Sequence, residues 1–104
     1  MNQATVQAQD IKRFIRTLTI NGGWVKADRF RHSYEWSPRY TRMLRSMSNG
    51  AVISGNLGYR ATVHATQTER RHFINKTRQT ASELYDQALL VDNFNDGEQG
   101  EMTL

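Results

Sequence analysis

Cysteine is absent from the 104-residue sequence, and proline occurs only once, at Pro38. The missing thiols exclude disulfide bonds and thiolate metal ligands. The apolar runs are too short for a transmembrane helix, and residues 1–5 lack the basic and apolar regions that begin a signal peptide. We therefore expect a cytoplasmic protein without contact to a membrane.

The residue groupings that support catalysis or cofactor binding are also missing. His32, His64 and His72 fall on different predicted elements and lack the spacing of a metal site. Residues 55–58 contain two glycines but neither the lysine nor the spacing of a phosphate loop. No serine or threonine has an identifiable base beside it. We expect no enzyme activity, no metal, no cofactor and no small-molecule ligand.

Positive charge is plentiful and unevenly distributed. The net charge is +4, but residues 1–60 hold ten cations and three anions, whereas residues 61–104 hold four cations and seven anions. Most of the cations are arginines, whose planar guanidinium groups suit phosphate and guanine recognition. The alternative is an ordinary solvated surface that is basic at one end.

Apolar spacing predicts two helices in the first third of the chain. The first runs from about Thr5 to Asn21 and is closed by Gly22 and Gly23. Its apolar face comprises Ile11, Phe14, Ile15 and Leu18. The β-favouring pair at residues 24–25 predicts one rung of a small sheet, and a second helix is predicted over residues 27–34.

A third helix has the clearest start signal. Ser37 is a good N-cap and Pro38 suits the first helical position, so we expect a helix from Pro38 to about Ser48, closed by Asn49 and Gly50. Its spacing directs one set of residues inward, namely Tyr40, Met43, Leu44 and Met47. It leaves another set outside, namely Arg39, Thr41, Arg42, Arg45 and Ser46. Residues 38–50 contain no acid.

Beyond Gly50 the pattern changes to alternation and then returns to a helix. Residues 51–54 and 59–64 predict two strands joined by residues 55–58, with Tyr59, Ala61 and Val63 on one face. Thr66 and Glu69 form a capping-box pattern before a long helix to about Val91. Its apolar stripe comprises Phe73, Thr77, Ala81, Leu84 and Ala88. The acidic residues 92–104 are expected to be disordered.

The order of these elements resembles the winged helix-turn-helix superfamily. Residues 21–27 resemble the exit of the first helix and the first strand, residues 37–44 the opening of a recognition helix, and residues 49–53 and 58–60 the wing. The turn at residues 33–36 departs from the family pattern because it lacks glycine. The resemblance implies a mainly α fold with a small β-hairpin wing (α+β).

Three segments follow from this assignment: a winged helix-turn-helix domain at residues 5–65, a C-terminal helix at residues 66–91, and the acidic tail at residues 92–104. The helix either packs on its own chain or forms a homodimer through residues 66–91. Small phage and prophage regulators and replication accessory proteins often have such a helix after the wing.

The resemblance and the arginine-rich third helix together predict sequence-specific binding of double-stranded DNA by a nucleoid-associated transcriptional regulator or replication accessory protein. An α-helix fits the major groove, and the residues in its N-terminal half reach base edges. We expect Arg39, Arg42 and Thr41 to contact bases and Arg45 to contact a phosphate. The remaining candidates are Ser37 on the third helix, Asn56 and Arg60 on the wing, and Arg29 and Arg31 on the second helix.

Two other functions compete with this prediction. The same fold can serve as a protein-interaction adaptor whose basic face docks an acidic partner. Alternatively, aromatic residues interleaved with arginine can stack on the bases of RNA or single-stranded DNA. The aromatic residues in question are Trp24, Phe30, Tyr34, Trp36, Tyr40 and Tyr59. Their inward spacing favours the core instead.

Overall fold

A computed structural model describes residues 5–93, which are mainly helical. The elements in chain order are α1 (Ala8–Asn21), α2 (Ala27–Tyr34), α3 (Pro38–Ser46), β1 (Val52–Gly55), β2 (Gly58–Ala61), a 3-10 turn (Thr62–His64) and α4 (Gln67–Asp92). β1 and β2 form an antiparallel hairpin. The predicted α+β class, with a hairpin and a long last helix, is confirmed. Residues 94–104 of the predicted disordered tail lie outside the described residues.

The helix boundaries follow from local chemistry. α1 ends where Gly22, at φ 81°, donates its N–H to the carbonyl of Leu18. α2 has its predicted bounds. α3 begins as predicted, because the Ser37 hydroxyl accepts a hydrogen bond from the backbone N–H of Tyr40 at 3.1 Å. α1 begins at Ala8 rather than Thr5, since Gln7 before it is extended.

Two elements end earlier than predicted, and two apolar side chains are therefore exposed. Met47 leaves the helical conformation (φ −99°, ψ 8°), and its predicted inward position is wrong because it is 52% exposed. Ser48 is buried instead. β2 ends at Ala61, since the next residues form the 3-10 turn. Val63, predicted to share the face of Tyr59, is consequently 69% exposed.

The core is a cluster of aromatic rings centred on Phe14. The centroid of the Phe14 ring lies 4.9 Å from that of Phe30, 5.4 Å from that of Tyr59 and 6.4 Å from that of Trp36. These tilted and edge-on arrangements are the favourable geometries for aromatic pairs. The buried aliphatic residues around them are Leu18, Val25, Leu44, Val52 and Ala61. The cluster therefore joins the first three helices to the hairpin.

The predicted rung at residues 24–25 is confirmed. Val25 and Tyr59 exchange both backbone hydrogen bonds, each at 2.8 Å, so that Val25 forms a single antiparallel bridge to the two-stranded hairpin. Gly58 lies at the closest approach between these segments, at φ +117°. A Cβ atom at this position would lie 2.3 Å from the carbonyl oxygen of Val25. Only glycine fits there.

The start of α4 is attached to the hairpin. The predicted capping box is present, with reciprocal hydrogen bonds between Thr66 and Glu69 at 2.9 and 3.0 Å. The Glu69 carboxylate also accepts from the indole N–H of Trp24 and from the guanidinium of Arg60, both at 3.1 Å. One carboxylate therefore caps the helix and holds it to two other segments.

The chain divides into two compact units, Met1–Phe73 and Ile74–Leu104. The division falls within α4, whereas the sequence placed it between residues 65 and 66. In the second unit, every described residue from 74 to 93 is exposed. None of the helices within the described residues is long and apolar enough to cross a membrane.

Candidate functional site

α3 presents its arginines away from the core. Arg39 and Arg42 are exposed and Arg45 is partly buried. Within residues 5–93, no carboxylate forms an ion pair with any of the three. Because residues 38–50 also contain no acid, the positive charge of this helix is not neutralised locally.

Thr41 does not belong to the outer surface of α3, and its predicted contact with a base is wrong. Its side chain is completely buried beside Leu44. The Thr41 hydroxyl donates a hydrogen bond to the carbonyl oxygen of Ser37 at 2.7 Å. Thr41 therefore stabilises the first turn of the helix from the inside.

A cleft of about 420 Å³ lies between α3, the start of α2 and the hairpin. The residues that line it are Lys26, Ala27, Arg42, Arg45, Ser54, Gly55, Asn56, Gly58 and Tyr59. Three of these residues are cations, and none of the described lining residues is acidic. The cleft thus collects positive charge from α3 and from the residue before α2, beside the neutral polar groups of the hairpin.

Tyr59 contributes a neutral polar group to this cleft. Burial raises the pKa of Tyr59 above its ordinary value of 10.0, and the positive charges of Arg42 and Arg45 oppose that rise in part. The phenol is consequently protonated at neutral pH, so it does not neutralise the nearby guanidinium groups. Converging cations without a counter-charge favour an anionic ligand, and arginine forms strong charge-assisted hydrogen bonds with phosphate.

The Arg45 side chain is held in place by an aromatic ring. Its guanidinium carbon lies 5.5 Å from the centroid of the Phe73 ring, within the range of a cation–π contact. The contact restricts the side chain of a residue that also lines the cleft. Arg45 is therefore the more fixed of the two arginines that α3 contributes there.

Arg60 is an internal structural residue, and its predicted role as a contact on the wing is wrong. Its side chain is 20% exposed, and its guanidinium donates to Glu69 and to the carbonyl oxygen of Gly22 at 3.2 Å. The same group lies over the ring of Trp24, 5.8 Å from the centroid. With these partners, Arg60 joins β2 to α1 and α4.

The other predicted contact residues are accessible. Asn56 is exposed at the tip of the hairpin and also lines the cleft. Ser37 is exposed, and its hydroxyl caps α3 as an acceptor, which leaves its proton free to donate. Arg29 and Arg31 are exposed on α2, but Arg31 forms a 2.6 Å ion pair with Asp28. The structure brings neither Arg29 nor Arg31 into the lining of the cleft.

Six lining residues are not among the predicted contacts, and Lys26 and Ser54 are two of them. The signal for Lys26 was its position directly after the Trp24-Val25 rung, because a residue that follows a paired strand must lie beside the hairpin. Ser54 had no comparable signal. Its position depends on how the hairpin packs against α3.

The aromatic residues do not form an exposed stacking surface. Phe30, Trp36 and Tyr59 are buried, and Trp24, Tyr34 and Tyr40 are partly buried. The Tyr40 hydroxyl donates to Asp10 at 2.6 Å and accepts from the N–H of Gln7. Burial, followed by the hydrogen bond to Asp10, raises the pKa of Tyr40. These rings join the helices of the core.

Comparison with known proteins provides no relative. A scan against protein-family models finds no match, and searches among curated proteins and solved structures likewise find none. The function must therefore be inferred from the chain's own residues.

Proposed function

We propose that residues 5–73 form a winged helix-turn-helix that binds double-stranded DNA, in a small transcriptional regulator or replication accessory protein of the nucleoid. The observation that carries the proposal is the position of the α3 arginines. They project from a helix without acids, next to a cleft that adds Lys26 and the hairpin tip. A helix of this kind, flanked by a hairpin, suits the major groove.

Arg39 is the residue that reads a base in this proposal. It lies in the exposed first turn of α3, and the N-terminal part of a recognition helix approaches base edges. Its guanidinium can form two hydrogen bonds with guanine, which discriminate against other bases by about 1–3 kcal/mol. The Ser37 hydroxyl, at the same end of the helix, can donate to a neighbouring phosphate.

The cleft holds the DNA backbone. Arg42, Arg45 and Lys26 line it, so each can form a charge-assisted hydrogen bond with a phosphate of a strand that enters the cleft. Arg42 is thereby assigned to the DNA backbone rather than to the base contact expected from the sequence. Asn56, which also lines the cleft, can donate to the same strand. These contacts fix the position of α3 on the duplex and carry no sequence information themselves.

The salt dependence of binding to a random-sequence duplex tests this arrangement. Three phosphate contacts predict a slope of log K against log salt of about −2.7, and Arg42→Gln should reduce its magnitude by about 0.9. Arg16→Gln is the matched control, because Arg16 is exposed on α1, lies outside the cleft and carries the same charge. Fluorescence anisotropy with a labelled duplex provides the measurement.

Equal effects of the two substitutions would show that binding depends on net charge alone, and would refute the role of the cleft. Absence of duplex binding at low salt would refute the whole proposal and favour the adaptor function. Tighter binding to an unpaired polymer than to the duplex would favour RNA or single strands. Selection from a random duplex pool should yield a sequence preference that Arg39→Ala weakens.

A further inference from the structure

An apolar stripe runs along the exposed part of α4 in the second unit. Six positions that alternate in spacing between three and four residues lie on one side of the helix, which is the pattern of a two-helix seam. They are Ile74, Thr77, Ala81, Leu84, Ala88 and Val91. All six are exposed, and none is charged.

This exposure is large for apolar side chains. Ile74, Leu84 and Val91 are 45%, 60% and 74% exposed. The opposite side of the helix carries mainly polar residues, including Gln79, Glu83 and Asp86. Helices in proteins gain most of their stability from packing of an apolar face, and a partner helix would supply that packing here.

We propose that the partner is a second copy of this chain, paired with α4 in antiparallel orientation. In that alignment Ile74 faces Val91 of the partner subunit, and Ala81 faces Leu84 of the partner subunit. Each alanine is then opposite a larger side chain, and the seam is filled. A parallel alignment would instead place alanine opposite alanine at two levels and leave gaps.

The charges at the edge of the stripe favour the same orientation. Arg78 and Asp92 flank the stripe on one side. In the antiparallel alignment Arg78 of one chain is level with position 87 of the other, five residues or about 7.5 Å along the axis from Asp92 of the partner subunit. In a parallel pair, the two charges are separated by 14 residues along the axis, about 21 Å. The stripe is therefore complementary to its own reversed copy in both side-chain size and charge.

The size of the seam predicts its strength. Eighteen residues of helix are about 27 Å long, and a helix with side chains is about 10 Å wide. Burying such a strip on two chains gives about 540 Å² in total, well below the roughly 1,200 Å² at the low end of the range for stable complexes. The dimer should accordingly dissociate at micromolar concentration. This inference does not depend on DNA binding.

Sedimentation velocity of the full chain over a concentration series tests the dimer. The wild type should change from monomer to dimer as concentration rises, and Leu84→Glu should weaken association at least 10-fold. Leu90→Glu is the matched control, because Leu90 is 72% exposed on the polar side of the same helix. Tryptophan fluorescence verifies that the first unit stays folded, since Trp24 and Trp36 both lie in it. A wild type that stays monomeric, or equal losses in both variants, would overturn the dimer.

The orientation can be tested because the chain has no cysteine. Ile74→Cys and Val91→Cys are prepared separately and treated with a short thiol cross-linker. The antiparallel pair predicts cross-linked dimers in an equimolar mixture and little product with Ile74→Cys alone, whose thiols would be about 25 Å apart. Efficient cross-linking of Ile74→Cys alone would show that the helices are parallel and overturn the proposed pairing.

Discussion

Replacing Gly58 by alanine tests the close approach that places the hairpin beside α2. The new Cβ would lie 2.3 Å from the carbonyl oxygen of Val25, a distance at which the backbone must move. Gly58→Ala should therefore destabilise the first unit and disturb the cleft, which both Gly58 and Tyr59 line.

The size of the effect follows from two separate costs. An alanine at positive φ costs about 1 kcal/mol. Separating Val25 from Tyr59 removes two backbone hydrogen bonds, each with a net contribution of about 1 kcal/mol. The expected loss is about 3 kcal/mol, a large part of the 5–15 kcal/mol typical of a domain.

Gly50→Ala is the matched control. Gly50 also has positive φ, at +87°, but a Cβ there would meet nothing within 4 Å. This variant should lose only the conformational cost of about 1 kcal/mol. Urea unfolding followed by tryptophan fluorescence measures both variants. The free energy of unfolding falls by about 1 kcal/mol for each molar of urea. Gly58→Ala should therefore lower the urea concentration at the unfolding midpoint by about 3 M, and Gly50→Ala by about 1 M. Similar shifts would refute the steric argument.

Two further predictions concern the polar contacts of Thr41 and Glu69. Thr41→Val keeps the side-chain volume but removes the hydrogen bond to Ser37. Urea unfolding should show a loss of about 1 kcal/mol of stability, and the affinity for duplex DNA should stay unchanged. A selective loss of affinity would instead show that Thr41 is a contact residue. The backbone hydrogen bond from Thr66 lowers the pKa of Glu69 below its ordinary value of 4.5. The hydrogen bond from Trp24 and the positive charge of Arg60 lower this pKa further. The stabilising contribution of Glu69 is therefore complete above the ordinary value and is lost as pH falls through the lower pKa of the folded state. The melting temperature measured between pH 3 and 7 should show this loss in the wild type and less of it in Glu69→Gln, whereas identical pH profiles would contradict the role of Glu69.

Local signals predict the elements of this fold well. The N-cap at Ser37, the capping box at Thr66 and Glu69, and the glycine after α1 each act within a few residues of the boundary that they determine. Such interactions do not depend on the rest of the molecule, so they can be identified from the sequence.

The candidate site was less predictable, because it depends on contacts between distant segments. Thr41 lies among the arginines of α3, and only the packing of the helix decides which side faces inward. Arg60 has the sequence context of a wing arginine, yet Glu69 and the carbonyl of Gly22 bind it in the interior. Lys26 enters the cleft only because Val25 pairs with Tyr59.

The Val25–Tyr59 pairing also has a kinetic consequence. It closes a loop of 34 residues, and the entropy lost in closing a loop rises with its length, whereas β1 and β2 meet across a two-residue turn. The hairpin should thus form early in folding and the Val25–Tyr59 pairing late. The cations that line the cleft are therefore all in place only after that pairing has formed. Amide hydrogen exchange at Val25 would report each reopening of that contact, and with it the fraction of molecules whose cleft is assembled.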